Sequence, residues 1–120
     1  MKIYLIAEEP EEEWLADILE SEGHDVAIAT AVIDATFDDW LSLEITDIKL
    51  AEAIYITEKA WEQRKTNLTV TYALVAAWGL VKKVFCEDKE VMIKSQKDYI
   101  TLELQLLIQT TQVTHKLPAF

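Results

Sequence analysis

The chain is poor in glycine, cysteine and basic residues. It has 2 glycines, 1 cysteine and 11 lysines and arginines among 120 residues. Phosphate-binding loops need glycines for close backbone approach and a helix N-terminus free of competing negative charge. The first turn that could serve carries Glu8, Glu9, Pro10, Glu11, Glu12 and Glu13 instead, which disfavours a phosphate-bearing ligand there. A single cysteine, Cys86, excludes an intramolecular disulfide, and with no histidine near it in sequence it reads as a small buried hydrophobe. No apolar run reaches the roughly 18 residues of a membrane span. The start, MKIYLIAEEPEEE, lacks a signal peptide's basic region and cleavage site, so the sequence predicts a cytoplasmic protein with no membrane contact. Neither a metal site nor a cofactor motif is recognisable.

Acidic residues are plentiful, and they are concentrated. Residues 1–63 hold 17 acidic and 3 basic side chains, net −14, whereas residues 64–120 hold 5 and 8, net +3. Such a surface repels phosphates, so direct nucleic-acid binding is disfavoured. The simplest role for the acidic half is solvation, and the more specific one is contact with a basic protein partner.

Half of the composition is apolar, enough for one core but not for two domains. KIYLIA (2–7) is a continuous apolar run of the kind that forms a central parallel strand buried on both faces. A helix is predicted over 10–22, with Trp14, Leu15, Ile18 and Leu19 inward and Gly23 ending it. His24 reads as a turn residue beside that helix end. DVAIAT (25–30) predicts a second strand. Residues 36–43 suggest an irregular or helical connection burying Phe37 and Trp40, and 44–52 a separate helix with Ile45, Ile48, Leu50 and Ala51 inward.

The stretch 53–85 organises the rest. AIYIT (53–57) predicts a third strand, and the charged segment 58–65 follows at its carboxyl end. Thr66 or Asn67 can cap a helix running to about Trp78, which has no charged side chain between Asn67 and Leu80 and so should be buried nearly all round. Gly79 is expected to end it. VKKVFC (81–86) predicts a fourth strand and VMIK (91–94) a short fifth. Ser95 to Asp98 has capping-box spacing and predicts an apolar helix over 96–112, whose Leu102 and Leu106 exceed what one sheet face needs. The predicted fold is α/β, a three-layer sandwich of flavodoxin or Rossmann-like type with four or five mainly parallel strands flanked by helices.

Over residues 1–94 this order resembles the nucleoside 2-deoxyribosyltransferase family. Glu44, Ile45, Ile48, Ala51 and Glu52 stand at the spacing of its Asp-Leu-x-x-Ile-x-x-Ala-Asp motif, both aspartates lengthened to glutamates. NLTVTYALVAAWG (67–79) stands at the spacing of its catalytic helix, and Tyr4 falls where the family often places a strand-one tyrosine. The resemblance implies a small Rossmann-like fold, sites built across a homodimer, and a glutamate nucleophile eight positions before the helix-ending glycine. That position holds Thr71, and Ala73 replaces a family glycine. A carboxylate can form and release a glycosyl intermediate, whereas threonine without a neighbouring base cannot.

The sequence therefore supports no catalytic residue. It predicts a degenerate relative that binds a protein partner of basic character, as a phage or mobile-element inhibitor of a host factor would. The alternative is a binder or altered hydrolase or transferase of a nucleoside-like molecule. For that reading the candidate ligand-binding residues are Tyr4, Glu8, Glu44, Glu58, Asn67 and Thr71. Topology can bring Glu8, Glu9, Glu44 and Glu58 to one sheet edge, and two carboxylates about 5 Å apart would form a glycosidase pair. A solvated acidic rim explains them more simply, and capping explains Asn67.

Overall fold

The structure, a computed structural model, describes residues 1–7, 11–86 and 89–91, with residues 11–13 described at the backbone. Five strands form one sheet in the order β2-β1-β3-β4-β5. They are β1 (Lys2–Ile6), β2 (Asp25–Ile28), β3 (Ala53–Ile56), β4 (Val84–Cys86) and β5 (Lys89–Val91). The first four pair in parallel and only β4 with β5 is antiparallel, so the α/β architecture and mostly parallel sheet expected from the sequence are present. Helices α1 (Glu11–Ser21), α2 (Phe37–Leu50), α3 (Glu58–Glu62) and α4 (Leu68–Gly79) make the crossovers. The segment 96–112, with Leu102 and Leu106 and the homodimer expected from them, lies outside the described residues, as does Glu8.

Strand periodicity sorts the side chains into two layers. Tyr4 and Ile6 of β1, Ile54 and Ile56 of β3 and Val84 of β4 are in register and join one core with α2 and α4. In that core Phe37, Trp40 and Tyr72 pack ring on ring, with centroids 5.3 to 6.4 Å apart. Alternate residues Ile3 and Leu5 face the opposite layer, where α1 packs against β2 and β1. Helix α4 is buried from Val70 to Ala77, as its lack of charge predicts.

Three expectations are corrected. Residues 36–52 hold one helix rather than a connection and a helix: Thr36 caps it by accepting from Asp39 N at 3.2 Å, and neither glycine nor proline interrupts 37–50. Leu50 faces solvent, and Trp14 and Ile18 of α1 are half exposed. Leu15, Ala16 and Leu19 take the covered side of α1.

The fourth strand starts at Val84 rather than Val81 because α4 ends in a tight cap. Lys82 N donates to Ala77 O at 2.9 Å and Val81 N to Trp78 O at 3.0 Å. This is a Schellman motif with Val81 in the left-handed position, φ 59°. Helix α1 ends the same way, with His24 N on Leu19 O and Gly23 N on Glu20 O, but there the left-handed residue is glycine, φ 93°. Gly79 is thus the last helical residue of α4, and the conformation that favours glycine falls two residues later on a β-branched side chain that is 89% exposed. A left-handed conformation costs an L-residue with Cβ roughly 1–2 kcal/mol. Val81→Gly is expected to raise stability by about 1 kcal/mol after the entropy of the freer unfolded chain is allowed for, visible as a higher urea midpoint with an unchanged slope.

Candidate functional site

In open α/β sheets ligands bind beyond the carboxyl ends of the strands, where the connections from two neighbouring strands run to opposite sides. Here that point lies between β1 and β3, because β1 leads through α1 to β2 while β3 leads through α3 and α4 to β4. A cleft of about 410 Å³ opens there. Trp14 and Leu15 of α1 line it, with Tyr55 and Thr57 from the end of β3. Glu58, Lys59 and Glu62 of α3 line it as well.

The local sequence explains this shape. Along β3, Ile54 and Ile56 are buried in the α2–α4 core while Tyr55 and Thr57 point to the other layer. Thr57 ends the strand and caps α3, accepting from Ala60 N at 3.2 Å. The charged segment 58–65 therefore begins with a short helix. Glu58 sits in its first turn, where negative charge is favourable. Trp14 is 54% exposed, so its indole offers the cleft a large apolar face.

The candidate residues named from sequence fall into three separate places. Glu58 is exposed on the cleft. Tyr4 and Glu44 meet in the α2–α4 core: the Tyr4 hydroxyl donates to Glu44 Oε1 at 3.3 Å, and Thr30 N–H donates to the same oxygen. Glu44 is only 4% exposed. It occupies the inner face of α2 with Trp40 and Ile48, four residues to either side. Burial, then the charge of Glu44 and its hydrogen bond, push the Tyr4 phenol well above the usual tyrosine range. Tyr4 is thus held as a neutral donor, and Glu44 is committed to it and to Thr30. Glu44 is buried and hydrogen-bonded in the α2–α4 core whereas Glu58 is exposed on the cleft, so the two are not presented as one carboxylate pair.

Asn67 and Thr71 form the third place, the start of α4. Asn67 Oδ1 accepts from Val70 N at 3.3 Å and its amide donates to Gln63 Oε1 at 3.3 Å. Thr71 is fully buried, and its hydroxyl points at two backbone carbonyls, Arg64 O at 2.8 Å and Asn67 O at 3.0 Å. Its proton is donated to the turn that precedes the helix. Both side chains tie 63–67 to α4, and for Asn67 this is the capping role that the sequence offers as the simpler alternative to ligand binding.

Trp14, Tyr55, Thr57 and Glu62 were not among the candidates. The available signal was the alternation in AIYIT: a strand buried on both faces has no need of a tyrosine and a threonine at every second position. Among the described residues, no three His, Cys, Asp or Glu side chains are placed to hold a metal ion, and no helix is long and apolar enough to cross a membrane. Comparison with protein-family models, with curated proteins and with solved structures finds no match.

Proposed function

We propose that the chain is a non-catalytic binding protein, a degenerate deoxyribosyltransferase-like domain whose acidic face around α1 and α3 engages a basic protein partner. Inhibition of a host factor by a phage or mobile-element protein is the kind of role this suits. The half-exposed indole of Trp14 in a cleft with two glutamates carries the reading. An aromatic anchor in a concave site supplies binding energy, and the surrounding negative charge supplies steering toward a basic surface. The position that the family resemblance gives to the nucleophile supports it from the other side, because Thr71 is sealed and its hydroxyl is spent on carbonyl oxygens.

The test is calorimetric titration of the chain with a short lysine- and arginine-rich peptide at low and high salt. Binding at low salt should weaken by at least about tenfold at roughly 0.5 M salt, where screening is nearly complete. A basic peptide that fails to bind at low salt would overturn the proposal. A second reading places a nucleoside-like molecule in the same cleft, where Trp14 and Tyr55 offer stacking surfaces and the volume suits a small ligand. Nucleosides and free bases titrated in the same way decide it: saturable, salt-insensitive heat favours that reading, and none at millimolar concentration removes it.

A further inference from the structure

General acidity attracts any cation, but the cleft between α1 and α3 is more selective in its chemistry. One wall is the Trp14 indole, half open to solvent on α1. The same cleft is lined by Glu58 and Glu62, four residues apart on α3 and hence on one face of that helix. Lys59 also lines the cleft, so among the described residues its charged side chains are two carboxylates and one ammonium, net −1. A flat aromatic face together with paired carboxylates suits a guanidinium better than an ammonium. The guanidinium is planar, stacks on indole and presents five donors in a fork that carboxylates match, whereas a lysine ammonium is a strongly hydrated point charge.

The chain contains this pairing once in its own packing. Arg64 lies over the ring of Trp61, 4.3 Å from its centroid, and donates to Trp61 O at 2.9 Å. Arg64 is also the only arginine in the sequence. The protein's own guanidinium is therefore committed elsewhere, and one that fills the cleft must come from another molecule.

We infer that the cleft is an anchor pocket for an arginine side chain of the basic partner, stacked on Trp14 and paired with Glu58 and Glu62. This rests on the reading of the acidic face as a binding surface, and it adds a residue-level specificity that the reading alone does not contain. Leu15 contacts the aliphatic part of the arginine stem, and the negative charge of residues 1–63 brings the basic segment to the cleft.

The experiment titrates the full chain with three peptides of equal length, built on arginine, on lysine and on citrulline, the uncharged isostere of arginine. The arginine peptide should bind about tenfold more tightly than the lysine peptide, with no measurable citrulline binding. Trp14→Ala and the double variant Glu58→Gln/Glu62→Gln should each lower arginine-peptide affinity to the level of the lysine peptide. All three side chains are largely exposed, so both variants should keep the parent melting temperature, and the double variant stands as the test if Trp14→Ala is perturbed. An arginine-to-lysine preference that survives in both variants would overturn the pocket while leaving the acidic binding surface standing. Equal binding of the citrulline peptide would overturn recognition of a guanidinium charge. Failure of both basic peptides to bind would overturn the binding-surface reading and the pocket with it.

Discussion

Thr71→Glu should destabilise the fold by about 3–5 kcal/mol. The position lies on a helix buried nearly all round, and Thr71 itself has no solvent contact. Its hydroxyl donates where Arg64 O and Asn67 O accept. A carboxylate there would confront two acceptors with a third, bring no donor, and lose its hydration. The longer side chain must also find volume at a position with no solvent contact, and overpacking alone costs about 1–3 kcal/mol. Burial favours the neutral acid, so the deficit should grow as pH rises through the pKa of the introduced carboxyl. Thr71→Val is the control. It keeps the shape, loses the hydroxyl bond and should cost about 1 kcal/mol. Urea denaturation of the three proteins measures the series. A Thr71→Glu variant as stable as the parent would mean that the start of α4 opens into a usable pocket, and the interpretation of Thr71 as a sealed tie would be wrong.

Glu44→Ala is expected to cost about 2–4 kcal/mol, the sum of two stranded donors. Glu44 Oε1 receives the buried Tyr4 hydroxyl and the Thr30 N–H. One turn earlier on the same helix, Trp40 Nε1 donates to Thr30 O at 2.7 Å. Two consecutive inward positions of α2 thus hold the N–H and the C=O of Thr30, the second residue past β2, and this fixes where the chain leaves the sheet. The connection that follows is held by α4, with Val32 N on Thr69 Oγ1 at 3.0 Å and the Tyr72 hydroxyl on Ala35 O at 2.8 Å. Glu44→Gln keeps an oxygen acceptor in place and should cost only about 1 kcal/mol. The contrast matters for function. If Glu44→Ala cost less than about 0.5 kcal/mol, the carboxylate would not be structural and would be free for chemistry. A large loss for alanine and a small one for glutamine identify it as a hydrogen-bond acceptor that holds the fold.

The sheet was legible because its strands are short apolar runs flanked by obvious helix starts, as in KIYLIA followed by a proline and three glutamates. The buried character of α4 followed from its lack of charge. Helix ends were harder. Gly79 draws attention as a terminator, yet the left-handed residue is Val81, and only the backbone geometry reveals that the favourable residue and the demanding position are two apart. The site was least legible, since it depends on which carboxylates turn inward. A glutamate on a helix reads as solvated, and Glu44 is the exception because its i−4 and i+4 neighbours, Trp40 and Ile48, define the buried face. Trp14 reads as core by helical spacing and is half exposed because Leu15, Ala16 and Leu19 form the covered side of α1. Tyr4 with Glu44, Asn67 with Thr71, and Glu58 are all near functional edges in sequence order, but sequence carries no distances, and the three groups do not meet.

Two of these groups are spent on the fold and one lies open, and our proposal accordingly places binding at the cleft between α1 and α3 and not at the start of α4. The most direct measurement is a nuclear magnetic resonance titration of the isotope-labelled chain with the arginine peptide, read at the indole N–H signals of its four tryptophans and at the backbone amides. The Trp14 indole and the amides of residues 57–62 should shift together and saturably, while the Trp40 indole, bonded to Thr30, and the amides of residues 69–72 stay in place. Shifts centred on residues 69–72 and Tyr4, with the Trp14 indole unmoved, would contradict the assignment and return function to the position that Thr71 occupies.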